Sequence, residues 1–151
     1  MNSEVAIIGT TTWGTALGII LARQNVPVSL MAQAPLEAEQ LDSQRQNARF
    51  LPDTPFPDSL TVASAIKEVV PSAHLVIIAV PSHRLRQNVR AIRDSLASGA
   101  VILSATKGLE MPAGKRMSQV LEEELPADLH SGICTLSGPN FAKEIVQGKL
   151  A

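Results

Sequence analysis

The sequence predicts an α/β chain: a doubly wound, mostly parallel sheet with helices on both faces. Two observations carry that reading. Short runs rich in Val, Ile and Leu recur along the 151 residues. They are continuous rather than alternating, as strands buried on both faces of a parallel sheet are. Between them apolar residues return at helical spacing, and strands alternating with helices imply right-handed crossovers onto a covered sheet. The pattern is Rossmann-like.

The elements follow in order. The first strand is Val5–Ile8, ending at Gly9, and Trp13, Leu17, Ile20 and Leu21 share one face of the helix after it. Val28–Ala32 is the second strand. LPDTPFPDSL at Leu51–Leu60 holds three prolines in ten residues, so it is irregular, and a weaker strand lies near Thr61–Ala63. Leu75–Val80 is followed by a helix with Leu85, Val89, Ile92 and Leu96 on one stripe. Arg86, Arg90 and Arg93 fall on another face. Val101–Ala105 precedes a helix bearing Met117, Val120, Leu121 and Leu125, and Ile133–Leu136 is the last strand. A final helix begins near Asn140 and is capped by Gly148, leaving only Lys149, Leu150 and Ala151. Ser82 is the predicted N-cap of its helix.

Composition narrows the function. The chain is 45% hydrophobic and 18% charged, with a formal net charge of −1, which is a globular composition. There is no basic excess for a nucleic-acid face, and aromatics are 3% with no tyrosine, so base-stacking platforms are missing as well. The longest apolar runs are too short to span a bilayer. Met1–Glu4 lead directly into a strand pattern, so no secretory leader is expected and the cytoplasm is the expected compartment. The single Cys134 excludes an internal disulfide and is expected to be a buried thiol. His74, His83 and His130 are too scattered to form a metal site. Arg84, Arg86, Arg90 and Arg93 are expected on a solvated helix face, with anion binding as the alternative, and Glu122–Glu124 are likewise expected to be a solvated run. The acidic run sits near a helix C-terminus, where the dipole disfavours it.

Chemistry is expected at the carboxyl ends of the strands, where a parallel sheet places its ligand crevice. Gly9, Thr11 and Gly14 occupy the three positions of G-x-G-x-x-G. The first glycine makes the turn, the second admits a pyrophosphate, and the third permits close helix–strand packing. Thr11 puts a branched side chain where clearance is wanted, although its hydroxyl could donate to phosphate. Thr12 is placed to cap the helix. Taken alone, the turn fits both a phosphate site at a helix N-terminus and a plain connection. At the end of the second strand, Gln33 stands where an acid would select NAD or a base NADP, and it favours neither. Three further segments fall at strand ends: Val80–His83, Ser104–Gly108 with Lys107, and Ser137–Ala142. Lys107 supplies a point charge for phosphate or a polarised carbonyl, or is simply solvated.

These segments, read as GTTTWGTA (9–16), FLPDTPFPDSL (50–60), VPSH (80–83), SATKGLE (104–110) and SGPNFAKE (137–144), resemble the N-terminal domain of bacterial NAD(P)-dependent glycerol-3-phosphate dehydrogenases over essentially the entire chain. The resemblance implies a cofactor, NAD or NADP, held by Gly9, Thr11, Thr12, Trp13, Gly14, Gln33, Lys107 and Ala142. It implies a small phosphorylated substrate bound by Lys107, Gly138 and Asn140, and a role in supplying glycerophospholipid precursors. The family departs from this sequence at Thr11, normally glycine, at Gln33, commonly Arg or His, and at Asn140, more often Ser or Thr. Its proton-accepting lysine lies in a helical C-terminal domain, so the general base is expected beyond Ala151 and no residue of this chain is assigned to that step. Residues 1–151 are therefore expected to be one truncated NAD(P)-binding domain, inactive alone. Neither nucleic acid nor membrane insertion is expected, and the exposed, incomplete sheet edge suggests a non-native homodimer. Two other readings are a non-catalytic dinucleotide-binding or interaction module and another 6-phosphogluconate-dehydrogenase-like reductase.

Overall fold

A computed structural model describes residues 5–149. Met1–Glu4, where no leader is expected, lie outside the described residues. So do Leu150 and Ala151, the point beyond which the general-base lysine is expected. Six parallel strands form the sheet: β1 (Val5–Ile8), β2 (Val28–Met31), β3 (Leu60–Ala63), β4 (Leu75–Ile78), β5 (Val101–Ser104) and β8 (Ile133–Thr135). A separate antiparallel pair, β6 (Leu109–Glu110) and β7 (Lys115–Arg116), lies between β5 and β8 in the chain. The sheet order is β3-β2-β1-β4-β5-β8, so the winding direction reverses between β1 and β4. In-register pairs such as Ile8 with Met31 and Ile8 with Ile78 bring the ends of β1, β2 and β4 to one level. A ligand crevice belongs at that reversal.

Alternation along β1 divides the core. Ala6 and Ile8 face a layer built by α4 (Ser82–Ile92) and α5 (Met117–Glu124) through Leu85, Val89, Val120 and Leu121. Val5 and Ile7 face α1 (Thr12–Arg23) and α2 (Pro35–Gln44) through Ile19 and Leu41, with α6 (Ala142–Val146) adding Val146. A short α3 (Ile66–Val69) completes the set. On α1 the fully buried residues are Gly14, Thr15, Ala16, Gly18, Ile19 and Ala22, and of the expected stripe Trp13, Leu17 and Leu21 pack part-buried against the same core. Small residues let the helix lie close on the strands, and the larger ones pack at its flanks.

Several ends differ from the sequence reading. Four of the strands stop one or two residues earlier, where their chains turn into the crevice loops. Ser82 is the first helical residue and Pro81 is the N-cap, with no side-chain cap bond. The last helix begins at Ala142 rather than Asn140. Gly148, at φ +79°, follows it, and the Gly148 and Lys149 N–H groups donate to the Ile145 and Glu144 carbonyls. That is a Schellman closure. Cys134 is exposed, because β8 is the outer strand of the sheet and only part of one face is covered.

Arg84, Arg90, Arg93, Glu122 and Glu123 are exposed as expected, but Arg86 and Glu124 are drawn into the α4–α5 contact. Arg86 donates to Glu110 at 2.7 Å through Nε and Nη2, to Glu123 at 2.7 Å, and also to Glu124. Arg90 makes two 2.8 Å bonds to Glu124, whose side chain is only 7% exposed. Hydrogen bonds from Arg90 and Arg86 outweigh the burial that opposes ionisation and hold the Glu124 carboxyl at about 2. Arg86 is in turn pushed up by Glu110, Glu123 and Glu124. This explains how Glu124 is tolerated in the last turn of α5 against the helix dipole: two guanidinium groups from the neighbouring helix compensate it.

Candidate functional site

The turn after β1 is built around two glycines. Gly9 has φ +113°, and a Cβ there would stand 2.7 Å from the Ala79 carbonyl oxygen. A Cβ on Gly14 would stand 2.2 Å from the Gly9 carbonyl oxygen. Both positions exclude a side chain because helix start and strand ends are in direct contact. Thr11, not Thr12, is the N-cap, since α1 begins at Thr12. Its hydroxyl accepts from the Gly14 N–H at 3.1 Å and donates to the Ala79 carbonyl at 2.8 Å. The hydroxyl proton is thus committed to the Ala79 carbonyl, just after β4, and Thr11 clamps the turn. Asn47, 2% exposed, donates to the Thr10 carbonyl and the Thr15 hydroxyl, both at 2.9 Å. The Thr10 hydroxyl donates to Glu37 at 2.6 Å.

Beside this turn lies a cleft of about 360 Å³ that gathers Thr11, Thr12, Trp13, Lys107, Asn140 and Ala142. They come from the ends of β1, β5 and β8. Lys107 Nζ donates to the Gly138 carbonyl at 3.2 Å and the Asn140 carbonyl at 3.4 Å, and it stands 5.7 Å from the centroid of the Trp13 ring. The tie to Gly138 and Asn140 fixes the ammonium over the cleft, and the indole face adds a cation–π contact. Phe50 also lines this cleft.

Gln33 stands apart from that group, on the β2 side of the turn, where its Oε1 accepts from Arg84 Nη1 at 3.0 Å. Of the positions expected in the site, Gly9, Thr11, Thr12, Trp13, Lys107, Gly138, Asn140 and Ala142 surround the crevice at the carboxyl ends of the strands. Gly14 lies beneath, as the helix–strand contact. Sequence reasoning missed Glu37 and Asn47; it gave Phe50 only as the start of the segment 50–60, and Arg84 only within a set of four arginines for which anion binding was the lesser reading. Asn47 carried no signal, being one polar residue in a polar stretch. Arg84 carried one, as a cation two residues into the helix after a crevice strand.

The arrangement fits a dinucleotide on the chain's own geometry. Gly9 provides the side-chain-free approach, the α1 N-terminus offers outward N–H groups, and Trp13 Nε1 is buried with no hydrogen-bond partner among the described residues. Among those residues no three His, Cys, Asp or Glu side chains gather to hold a metal, and no helix is long and apolar enough to cross a membrane.

Residues 4–151 match the family described as NAD-dependent glycerol-3-phosphate dehydrogenase N-terminus. A glycerol-3-phosphate dehydrogenase [NAD(P)+] of Dehalococcoides mccartyi is 46% identical over 97% of this chain and 41% of its own length. The enzyme of the same name from Chlorobium limicola is 44% identical over 94% of this chain and 43% of its own. The crystal structure of glycerol-3-phosphate dehydrogenase from Coxiella burnetii superposes with a TM-score of 0.85 at 25% identity, over 97% of this chain and 44% of that one. The chain thus spans about two fifths of the length of the relatives it matches.

Proposed function

This chain belongs to the NAD-dependent glycerol-3-phosphate dehydrogenase N-terminus family, and on that premise we propose that it forms the cofactor-binding half-site of a hydride-transferring enzyme. The reaction is exchange of hydride between sn-glycerol 3-phosphate, or dihydroxyacetone phosphate, and NAD(P). The observation that carries this reading is Lys107, held by the Gly138 and Asn140 carbonyls above Trp13 and beside the α1 N-terminus. One cation at that place serves both a dinucleotide and a phosphorylated substrate.

When bound, the nicotinamide supplies the hydride acceptor or donor. The residues do the rest. Gly9, Thr11, Thr12, Trp13 and Gly14 shape the pyrophosphate approach, Gln33 lies at the adenosine ribose, and Ala142 leaves room beside the cofactor. Lys107, Gly138 and Asn140 line the substrate side. Both partners of Lys107 are acceptors, so it acts as a donor and a positive charge, orienting the substrate phosphate. It does not remove the carbinol proton. We assign that step to a lysine of the family's helical C-terminal domain, beyond Ala151, and the 151-residue chain alone turns over negligibly. The setting is the cytoplasm, and the edge of β8 that pairs with no strand among the described residues is the surface by which two copies would meet in a non-native dimer.

Trp13 is the only tryptophan and reports on the site directly. Titration with NADH and NADPH is expected to quench its fluorescence saturably. Substitution K107M is expected to weaken the effect by about tenfold, the value of one charge-assisted contact. No change in Trp13 emission with either cofactor at millimolar concentration would sink the proposal.

A further inference from the structure

Two clefts meet at the end of β1. One, of about 310 Å³, runs between β2 and α4, with Ile8, Met31, Ile66 and Ala91 forming apolar walls and Ser64 and Asn88 polar edges. The other, of about 400 Å³, runs along the glycine turn and holds Thr10, Thr11, Glu37 and Arg49. Gly9, Gln33 and Arg84 line both. In a dinucleotide, the adenosine ribose joins a flat apolar base to a charged pyrophosphate. With the base in the apolar cleft and the pyrophosphate at the α1 N-terminus, the ribose lies at the junction, against these three residues.

From that junction we infer that Arg84 reads the 2′ position of the adenosine ribose and makes NADP(H) the preferred cofactor. Arg84 is exposed, on the first turn of α4, and Nη1 donates to Gln33 Oε1 at 3.0 Å. Its Nε and Nη2 donors have no partner among the described residues. A guanidinium with one edge anchored and the other open fits a phosphate monoester, which takes two parallel N–H bonds. No acid lines the base-side cleft. Glu37 faces the pyrophosphate side, where its two oxygens accept from the Thr10 hydroxyl at 2.6 Å and the Gln33 N–H at 3.3 Å. That carboxylate braces the turn on the pyrophosphate side and does not line the base-side cleft. The basic group missing after β2 is thus supplied across the crevice, from the helix that follows β4, the strand that β1 pairs with on its other side. The inference rests on the proposed cofactor site and names the specificity of that site.

The test is calorimetric titration of the protein and of R84Q and R84K with NADPH and with NADH. In the wild type the Kd for NADH should exceed that for NADPH by about tenfold to a hundredfold, the range for bonds to a charged group. In R84Q the ratio should fall to about one. R84K should keep part of it, since the charge remains and the fork is lost. Equal dissociation constants in the wild type, or an unchanged ratio in R84Q, would overturn the inference and leave the cofactor site standing. Binding of neither cofactor would overturn both.

Discussion

Replacing Glu124 with glutamine keeps the size of the side chain and removes the charge that two arginines share. The Glu124 carboxyl is lowered from 4.5 to about 2, which at about 1.4 kcal/mol per pH unit sets a ceiling of about 3 kcal/mol. Arg90 is 58% exposed, so its share is screened by solvent, and the expected loss for E124Q is about 2 kcal/mol near neutral pH. The sign follows from linkage. A carboxyl depressed in the folded state adds stability above its unfolded value, and that stability is lost as pH falls from about 4.5 toward about 2. Urea unfolding of both proteins, followed by Trp13 emission near pH 7 and near pH 3.5, measures the gap at each pH. It should narrow on acidification. A gap of the same size at both, or none near neutrality, would refute the assignment of Glu124 as an ionised partner of Arg86 and Arg90.

Three further outcomes are expected. T11A removes the cap of α1 and the bond to Ala79, and should cost about 1.5 kcal/mol in chemical denaturation; T11G should cost less, because glycine is itself an acceptable N-cap. G14A forces a methyl against the Gly9 carbonyl and should cost about 3 kcal/mol, so wild-type stability in that variant would contradict the helix–strand contact. Cys134, exposed on β8, should react with a disulfide reagent in the folded protein, and a thiol that reacts only in urea would contradict its placement.

Much of the fold was legible because burial on both sheet faces leaves a local trace. VAII, LVII and VILS have nothing polar until their ends, and the stripe Leu85, Val89, Ile92 has helical spacing. The misreadings share a different cause. Arg86 and Glu124 are 38 positions apart, and Arg84 and Gln33 are 51 apart. Charge on an amphipathic helix reads as solvated until the facing helix is known. The hairpin β6–β7 held only two residues a strand, too few to show a period. Cys134 reads as buried from its apolar neighbours, yet whether a strand is central or outermost depends on sheet order. At the site the strand-end segments named most of the crevice, since strand ends are positions along the chain. The cap of α1 was placed one residue late, at Thr12, because the glycine template describes clearance at Thr11, while the structure uses the Thr11 hydroxyl to close the turn.

The proposed dinucleotide site lies at the carboxyl ends of β1, β2 and β5, around Thr11, Gln33 and Lys107. Amide chemical-shift mapping of the labelled chain titrated with NADPH tests it most directly. The largest shifts should fall on Gly9, Thr11 to Gly14, Gln33, Arg84 and Lys107, with little change along the Arg86–Glu124 interface. Shifts concentrated away from the strand ends, or none at saturating cofactor, would contradict it.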